Sequence, residues 1–127
     1  MTPPTPEVLR ELAALLLRNA APGVPDGERA NALGLTATLL NIAAETWDAA
    51  AHNLVVENRA FRALLAETGA DTDLRLSALQ AENNRLRTAL IALQTRAETD
   101  GDVALQDRIW TELIASTERR RISTAPV

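Results

Sequence analysis

Apolar residues recur along most of the chain at intervals of three and four positions, the spacing of one face of an α-helix. Between residues 27 and 68 this spacing runs on without a proline. Its positions alternate strictly by four and three residues: Leu33, Ala37, Leu40, Ala44, Trp47, Ala51, Leu54, Asn58, Phe61 and Leu65. This alternation is a heptad pattern, and it predicts that the helix packs along another helix as in a coiled coil.

A second heptad pattern lies between residues 73 and 98. Its positions are Leu76, Leu79, Asn83, Leu86, Leu90, Leu93 and Ala97. Each pattern contains one asparagine at a core position, and a buried asparagine there fixes the register of the pairing helices. We therefore interpret Asn58 and Asn83 as register residues. The candidate interface residues around them are Trp47, Phe61, Leu86 and Leu90.

Capping residues and helix breakers divide the chain into four predicted helices. They cover about residues 6–19, 27–68, 73–98 and 102–122. The first begins after Thr5 at Pro6, and Asp26 caps the second. Gly69 and Gly101, each followed by acidic residues, end one helix and start the next. Gly34 or the polar stretch around Asp48 could divide the second helix, and the ends, residues 1–5 and 123–127, are expected to be flexible.

The two heptad patterns share a short repeat offset by 25 residues. The segment Glu57-Asn58, Phe61-Arg62 and Leu65 corresponds to Glu82-Asn83, Leu86-Arg87 and Leu90. With each asparagine at position a, the glutamates fall at g and the arginines at e, the pairing used in parallel dimers. The stretch from Leu79 to Arg87 resembles a leucine-zipper segment.

The short turn predicted at Gly69–Asp73 favours a different arrangement, because a short connection folds consecutive helices back along one another. Such a hairpin also brings Asn58 and Asn83 to nearly the same height. We therefore expect an all-α fold. It consists of an antiparallel helical hairpin with coiled-coil-like seams, packed by the two shorter helices in a single domain, residues 1–127. Parallel pairing of the seams stays open as the alternative.

Composition agrees with an all-α chain of 127 residues, 46% hydrophobic but only 2% aromatic. No stretch alternates between apolar and polar residues as a strand does. The N-terminus lacks the pattern of a secretory signal, and no stretch approaches the roughly 20 apolar residues of a membrane span, which favours the cytoplasm. The net charge of −4 argues against nucleic acid and anionic membranes as partners.

The strongest candidate for chemistry is the group of Glu45, Asp48 and His52. Asp48 precedes His52, the only histidine, by one helical turn. A carboxylate beside an imidazole could orient a general base or contribute to a metal site. Carboxylate-bridged dimetal bundles, however, need Glu-x-x-His units on two helices, and Ala49 stands three residues before His52. We favour a solvated contact here, and we predict a protein without catalytic activity or cofactor.

The most basic stretch is Arg119, Arg120 and Arg121 near the end of the last helix. Positive charge is favourable there because the helix dipole is negative at its C-terminus. The same arginines could contact an acidic partner or nucleic acid. A zipper transcription factor would carry a dense basic region before its zipper, and neither seam is preceded by one.

The sequence thus favours a non-catalytic protein–protein interaction module: an adaptor, a scaffold or a small accessory subunit. Because the second helix is too long for the first to cover, we expect a homodimer or a helical protein partner. The alternatives are a ligand- or metal-binding bundle using Glu45, Asp48 and His52, and a nucleic-acid-binding regulator using the arginine run. Trp47 and Trp110 could line a pocket, but bulky residues on an apolar helical face are expected in the core.

Overall fold

The computed structural model describes residues 3–25 and 27–123, and the predicted cap Asp26 lies outside them. The all-α class is confirmed, because the described residues form helices, turns and loops and no strand. The helices are α1 (Thr5–Leu15), α2 (Glu28–Leu65), α3 (Leu76–Asp100) and α4 (Val103–Arg119). One π-helical turn, Leu16–Ala20, and one 3₁₀ turn, Ala21–Gly23, follow α1. None of the helices in the described ranges has the length and apolar character that crossing a bilayer requires.

The chain forms two compact units, Met1–Ala49 with Ile122–Val127, and Ala50–Arg121. The division falls within α2, which is one helix of 38 residues. Neither Gly34 nor the stretch around Asp48 therefore ends it. Most of the ends predicted to be flexible, residues 1–2 and 124–127, lie outside the described residues.

In the first unit the buried apolar residues are small. Ala13 of α1 is buried, as are Ala37 and Ala44, which are one heptad apart in α2. The backbone N–H of Ser123 donates to the Glu45 carboxylate over 2.8 Å. Val8, Leu12 and Leu15 of α1 are exposed. Helix α1 thus leaves several of its large apolar side chains exposed in this unit.

The turn between α3 and α4 has the predicted capping chemistry. Gly101 follows α3 in the left-handed region with φ of 67°, and Asp102 N–H donates to the Ala97 carbonyl over 2.9 Å. The Asp102 side chain then accepts from the backbone N–H of Leu105 and caps α4. This turn reverses the chain, so α3 and α4 form an antiparallel hairpin.

The connection between α2 and α3 differs from the prediction. The helix ends at Leu65 rather than Thr68, and Ala66, not Gly69, takes the left-handed cap with φ of 55°. Glu67 N–H donates to the Arg62 carbonyl over 2.9 Å, which closes the last turn. The linker to α3 is therefore ten residues long, 66–75.

Contacts with α4 show the direction in which α2 runs. Asn53 donates to the carbonyl of Arg119 over 3.0 Å, and Ser116 donates to Glu57 over 2.8 Å. Farther along α2, Leu64 lines a cleft with Arg108. Residues with higher numbers in α2 thus contact residues with lower numbers in α4, so α2 and α4 are antiparallel.

Because α4 is antiparallel to both α2 and α3, helices α2 and α3 run in the same direction. The bundle contains an antiparallel hairpin as expected, but the hairpin joins α3 to α4, while α2 and α3 pair in parallel. The longer linker explains the difference. Its midpoint residue Asp71 accepts hydrogen bonds from Arg62 at 2.8 Å and Asn58 at 3.2 Å, so the linker runs back along α2 before α3 begins.

The core of the second unit lies where the three helices meet. Its buried members are Phe61, Leu86, Leu90 and Ile109, flanked by the partly buried Leu64, Leu65, Leu93, Leu105 and Leu113. Phe61, Leu86 and Leu90, candidates for the interface between the two seams, are buried in this core. Phe61 and Leu86 are equivalent positions of the 25-residue repeat, so the repeat packs against itself.

Candidate functional site

A buried polar cluster adjoins the apolar core of the second unit. We call it the polar core, and its members are Glu57, Asn58, Arg62, Asp71, Glu82, Asn83, Arg87, Ser116 and Arg120. At its centre Asn83 Nδ2 donates to Asn58 Oδ1 over 3.0 Å, and neither side chain is exposed. Asn58 also donates to the carbonyl of Leu79. Both asparagines therefore have partners inside the bundle, as the register interpretation requires.

Two reciprocal ion pairs flank the asparagines. Arg62 donates to Glu82 over 2.9 Å, and Arg87 donates to Glu57. In heptad terms each pair joins a g glutamate to the e arginine five residues farther along the facing helix, which is the pattern of parallel coiled coils. The charged pairs predicted for a parallel dimer thus form within one chain. The Arg87 guanidinium also lies 5.5 Å from the centre of the Phe61 ring.

Glu57 is the most buried charge of the polar core, with 1% of its surface exposed. Its carboxylate accepts hydrogen bonds from Asn83, Ser116, Arg87 and Arg120. Burial acts to raise the pKa of Glu57, but the hydrogen bonds from Ser116 and Asn83 and the charges of the two arginines outweigh it. The pKa is therefore lowered, and Glu57 stays ionised.

Glu82 holds the other end of the reciprocal pattern. Hydrogen bonds from Arg85 and then Arg62 lower its pKa from 4.5 to about 2, against the opposing effect of burial. Arg85 also donates to Glu67 over 2.6 Å, and this hydrogen bond lowers the pKa of Glu67. These pairs tie the start of the linker to α3.

The arginine run at the end of α4 is engaged by carboxylates. Arg120 donates to Glu57, Arg119 donates to Glu112, and Arg121 lies 3.5 Å from Glu118. Arg62 of α2 is likewise engaged, because it is buried between Asp71 and Glu82. The strong basic surface that nucleic-acid binding requires is thus reduced by internal pairing.

The structure shows the surroundings of the candidate ligand residues one by one. Asp48 and His52 are exposed, contrary to the inward orientation that a ligand-binding bundle would need, and Glu45 accepts the bond from Ser123 described above. Within residues 3–25 and 27–123, no group of three or more His, Cys, Asp or Glu is arranged to hold a metal ion.

A second feature of the same unit is an exposed apolar surface on the α3–α4 hairpin. We call it the outer face, and its members are Ile91, Val103, Trp110 and Ile114. Trp110 is 63% exposed and Ile91 is 68% exposed. The expectation that Trp110 lies in the core is therefore wrong, and the same holds for Trp47, which is 57% exposed.

Neighbouring contacts place the outer face on one side of the hairpin. Gln106 of α4 donates to the Ala97 carbonyl of α3, and Thr117 of α4 lines a cleft with Arg87 of α3. Gln106 and Thr117 thus mark the side of α4 turned toward α3. Trp110 lies one turn after Gln106, and Ile114 lies one turn before Thr117.

On α3, Ile91 is likewise one turn after Arg87, on the side of α3 that is turned toward α4. In the antiparallel hairpin it lies at about the height of Trp110 and Ile114. The apolar residues of the two helices therefore form one surface.

Sequence reasoning missed part of the polar core. The repeat contained the signal for Glu57, Arg62, Glu82 and Arg87, because it gave their g and e positions. No pattern marked Asp71 or Ser116, which join the cluster only through the return of the linker and the packing of α4. Comparison with protein-family models, with curated proteins and with solved structures found no match to this chain.

Proposed function

We propose that this protein is a non-catalytic helical interaction module that binds another protein through the outer face. The observation that supports the proposal is the exposure of Trp110 together with Ile91, Val103 and Ile114 on one side of a well-packed hairpin. Contiguous exposed apolar surfaces are typical of protein interaction sites. Tryptophan is among the residues that contribute most to binding when a partner buries it.

The polar core serves this function as a scaffold. Its asparagines and reciprocal ion pairs are satisfied within the chain, so the direction and register of α2 and α3 are fixed without a partner. A fixed frame holds the outer face in one geometry and lowers the entropic cost of binding. The cytoplasmic location remains a prediction from the sequence.

Site-specific cross-linking tests the proposal. A photoreactive benzoylphenylalanine replaces Trp110 in the full chain, and the same group replaces Arg96, an exposed residue of α3, as the matched control. We expect a protein adduct from position 110 only, and we expect Ile91→Asp in the same chain to abolish it. Equal cross-linking from both positions, or an adduct insensitive to Ile91→Asp, would refute the proposal.

A further inference from the structure

We propose that the partner on the outer face is a second copy of this chain, with the α4 helices of the two copies antiparallel. This inference rests on the proposed function and names its partner. Three observations carry it: the line of exposed residues along α4, the opposite charges at the two ends of that line, and the kind of side chain at its centre.

The exposed line follows heptad spacing. It runs through Val103, Asp107, Trp110, Ile114 and Thr117, at intervals of four and three residues. Trp110 and Ile114 each follow a core residue, Ile109 and Leu113, by one position, so they point about 100° away from the core. Helix α4 thus has one face in its own bundle and a second face with coiled-coil spacing that is exposed.

The ends of the outer face carry opposite charge. Near the α3–α4 turn lie the exposed carboxylates Glu98, Asp102 and Asp107. At the other end Arg121 lines the same cleft as Thr117 and is exposed. Its pair with Glu118 at 3.5 Å is an exposed contact, and such contacts contribute little.

These charges favour one orientation of the second copy. Asp107 lies seven residues before Ile114. Arg121 lies seven residues after it and two residues past the end of α4, where its backbone N–H donates to the Glu118 carbonyl over 3.2 Å and continues the last turn. An antiparallel copy centred near Ile114 therefore sets each Asp107 opposite the partner's Arg121, twice per dimer. A parallel copy would set like charges side by side, which disfavours it. A surface that complements itself in this way is typical of a two-fold symmetric dimer.

The centre of the surface fits the same arrangement. Ile114 meets Ile114 of the partner. Trp110 lies four residues before Ile114, and the member of the exposed line nearest to it on the partner is Thr117, three residues after Ile114, a side chain small enough to leave room for an indole. Two tryptophans and two isoleucines would then be removed from water at the middle of the interface, with the charged pairs at its rim. Apolar anchors surrounded by a polar rim are typical of specific interfaces.

Charge exchange between the two ends tests the inference. The dimer dissociation constant is measured by analytical ultracentrifugation of the full chain over a wide dilution range. We expect Asp107→Arg alone and Arg121→Asp alone each to weaken the dimer by about tenfold or more, and the double exchange to restore most of the affinity. Arg108→Asp is the matched control. Arg108 precedes the core residue Ile109 by one position whereas Trp110 follows it, so Arg108 points to the other side of α4 and its substitution should leave the dissociation constant unchanged.

The outcomes separate this inference from the proposed function. A wild-type chain that stays monomeric, or a dimer that the double exchange does not restore, overturns the antiparallel second copy. If Trp110 then still cross-links to a different protein in the Ile91-dependent manner above, the interaction module survives with another partner. A dimer that Trp110→Ala leaves unchanged overturns this inference. Because Asp107 and Arg121 are exposed, an unchanged helical circular dichroism spectrum of the variants would show that the fold is intact, whereas the thermal midpoint itself depends on dimerisation.

Discussion

Asn83 donates a hydrogen bond to Asn58 over 3.0 Å, and the two residues are equivalent positions of a 25-residue repeat. Pairing of two asparagines at position a is characteristic of parallel dimeric coiled coils. Here it occurs within one chain, because a ten-residue linker returns along α2 and lets α3 start again in the same direction. The predictions below follow from this arrangement and its neighbouring charges.

The asparagine pair should be energetically coupled. We expect Asn58→Ala and Asn83→Ala each to lower the free energy of unfolding by about 1–3 kcal/mol, because each leaves a buried polar partner unsatisfied. Urea denaturation of the single and double variants should give a coupling energy above about 0.5 kcal/mol. A cycle of Asn58 with the exposed Asn84 is the control, and equal coupling in both cycles would contradict the direct contact.

Removing the charge of Glu57 should be costly. Glu57→Gln removes the charged acceptor shared by Arg87 and Arg120. Both arginines are more than a third exposed, so water compensates part of the loss, and we expect the free energy of unfolding to fall by about 1–3 kcal/mol. The exposed Glu98→Gln is the matched control and should change the free energy of unfolding by less than about 0.5 kcal/mol. Similar urea midpoints for the two variants would show that Glu57 does not stabilise the bundle.

Stability should fall in acid. The pKa values of Glu57 and Glu82 are lowered in the folded protein. Their contribution to the free energy of unfolding is therefore fully present at a pH above the ordinary glutamate pKa, and it is lost as the pH falls and the carboxylates are protonated. For Glu82 the loss should fall between pH 4.5 and about 2. Urea midpoints measured across this range should decline less steeply in Glu82→Gln than in the wild type, and parallel declines would exclude Glu82 as a source.

The left-handed residue at the end of α2 offers a stabilising substitution. Ala66 has φ of 55°, where a Cβ atom is unfavourable and glycine is not. We expect Ala66→Gly to raise the free energy of unfolding by about 0.5–1 kcal/mol. Ala63→Gly, one turn earlier within α2, should lower it by about 1 kcal/mol. A loss of stability in both variants would contradict the cap geometry.

Linker length should decide whether α2 and α3 can pair within one chain. With an offset of 25 residues, the linker must return over about 21 Å, and deletion of residues 68–73 leaves a reach of only about 18 Å. The deletion should lower the thermal midpoint far more than Asp71→Ala, which removes the contacts of Asp71 at full length. An antiparallel pair of α2 and α3 would tolerate the deletion, so equal midpoints would contradict the parallel arrangement.

The sequence by itself determined the all-α class and part of the core. Heptad spacing identified Phe61, Leu86 and Leu90, and the chemistry of Gly101 and Asp102 placed the turn before α4, because these features depend on neighbours a few residues away. The repeat likewise assigned Glu57 and Arg87 to positions from which they can pair. A sequence pattern is enough to predict an interaction between residues that are close in the sequence or that belong to a repeat.

Tertiary structure decided the direction of pairing and the location of the exposed surface. The length of the linker depended on Ala66 taking the left-handed cap in place of Gly69, and no sequence pattern indicates that an alanine would take this conformation. Once α3 lay parallel to α2, α2 covered only one side of the α3–α4 hairpin. Trp110 is exposed because the burial of a helix face depends on which other helices pack against that face. The spacing of apolar residues along α4 does not specify those helices.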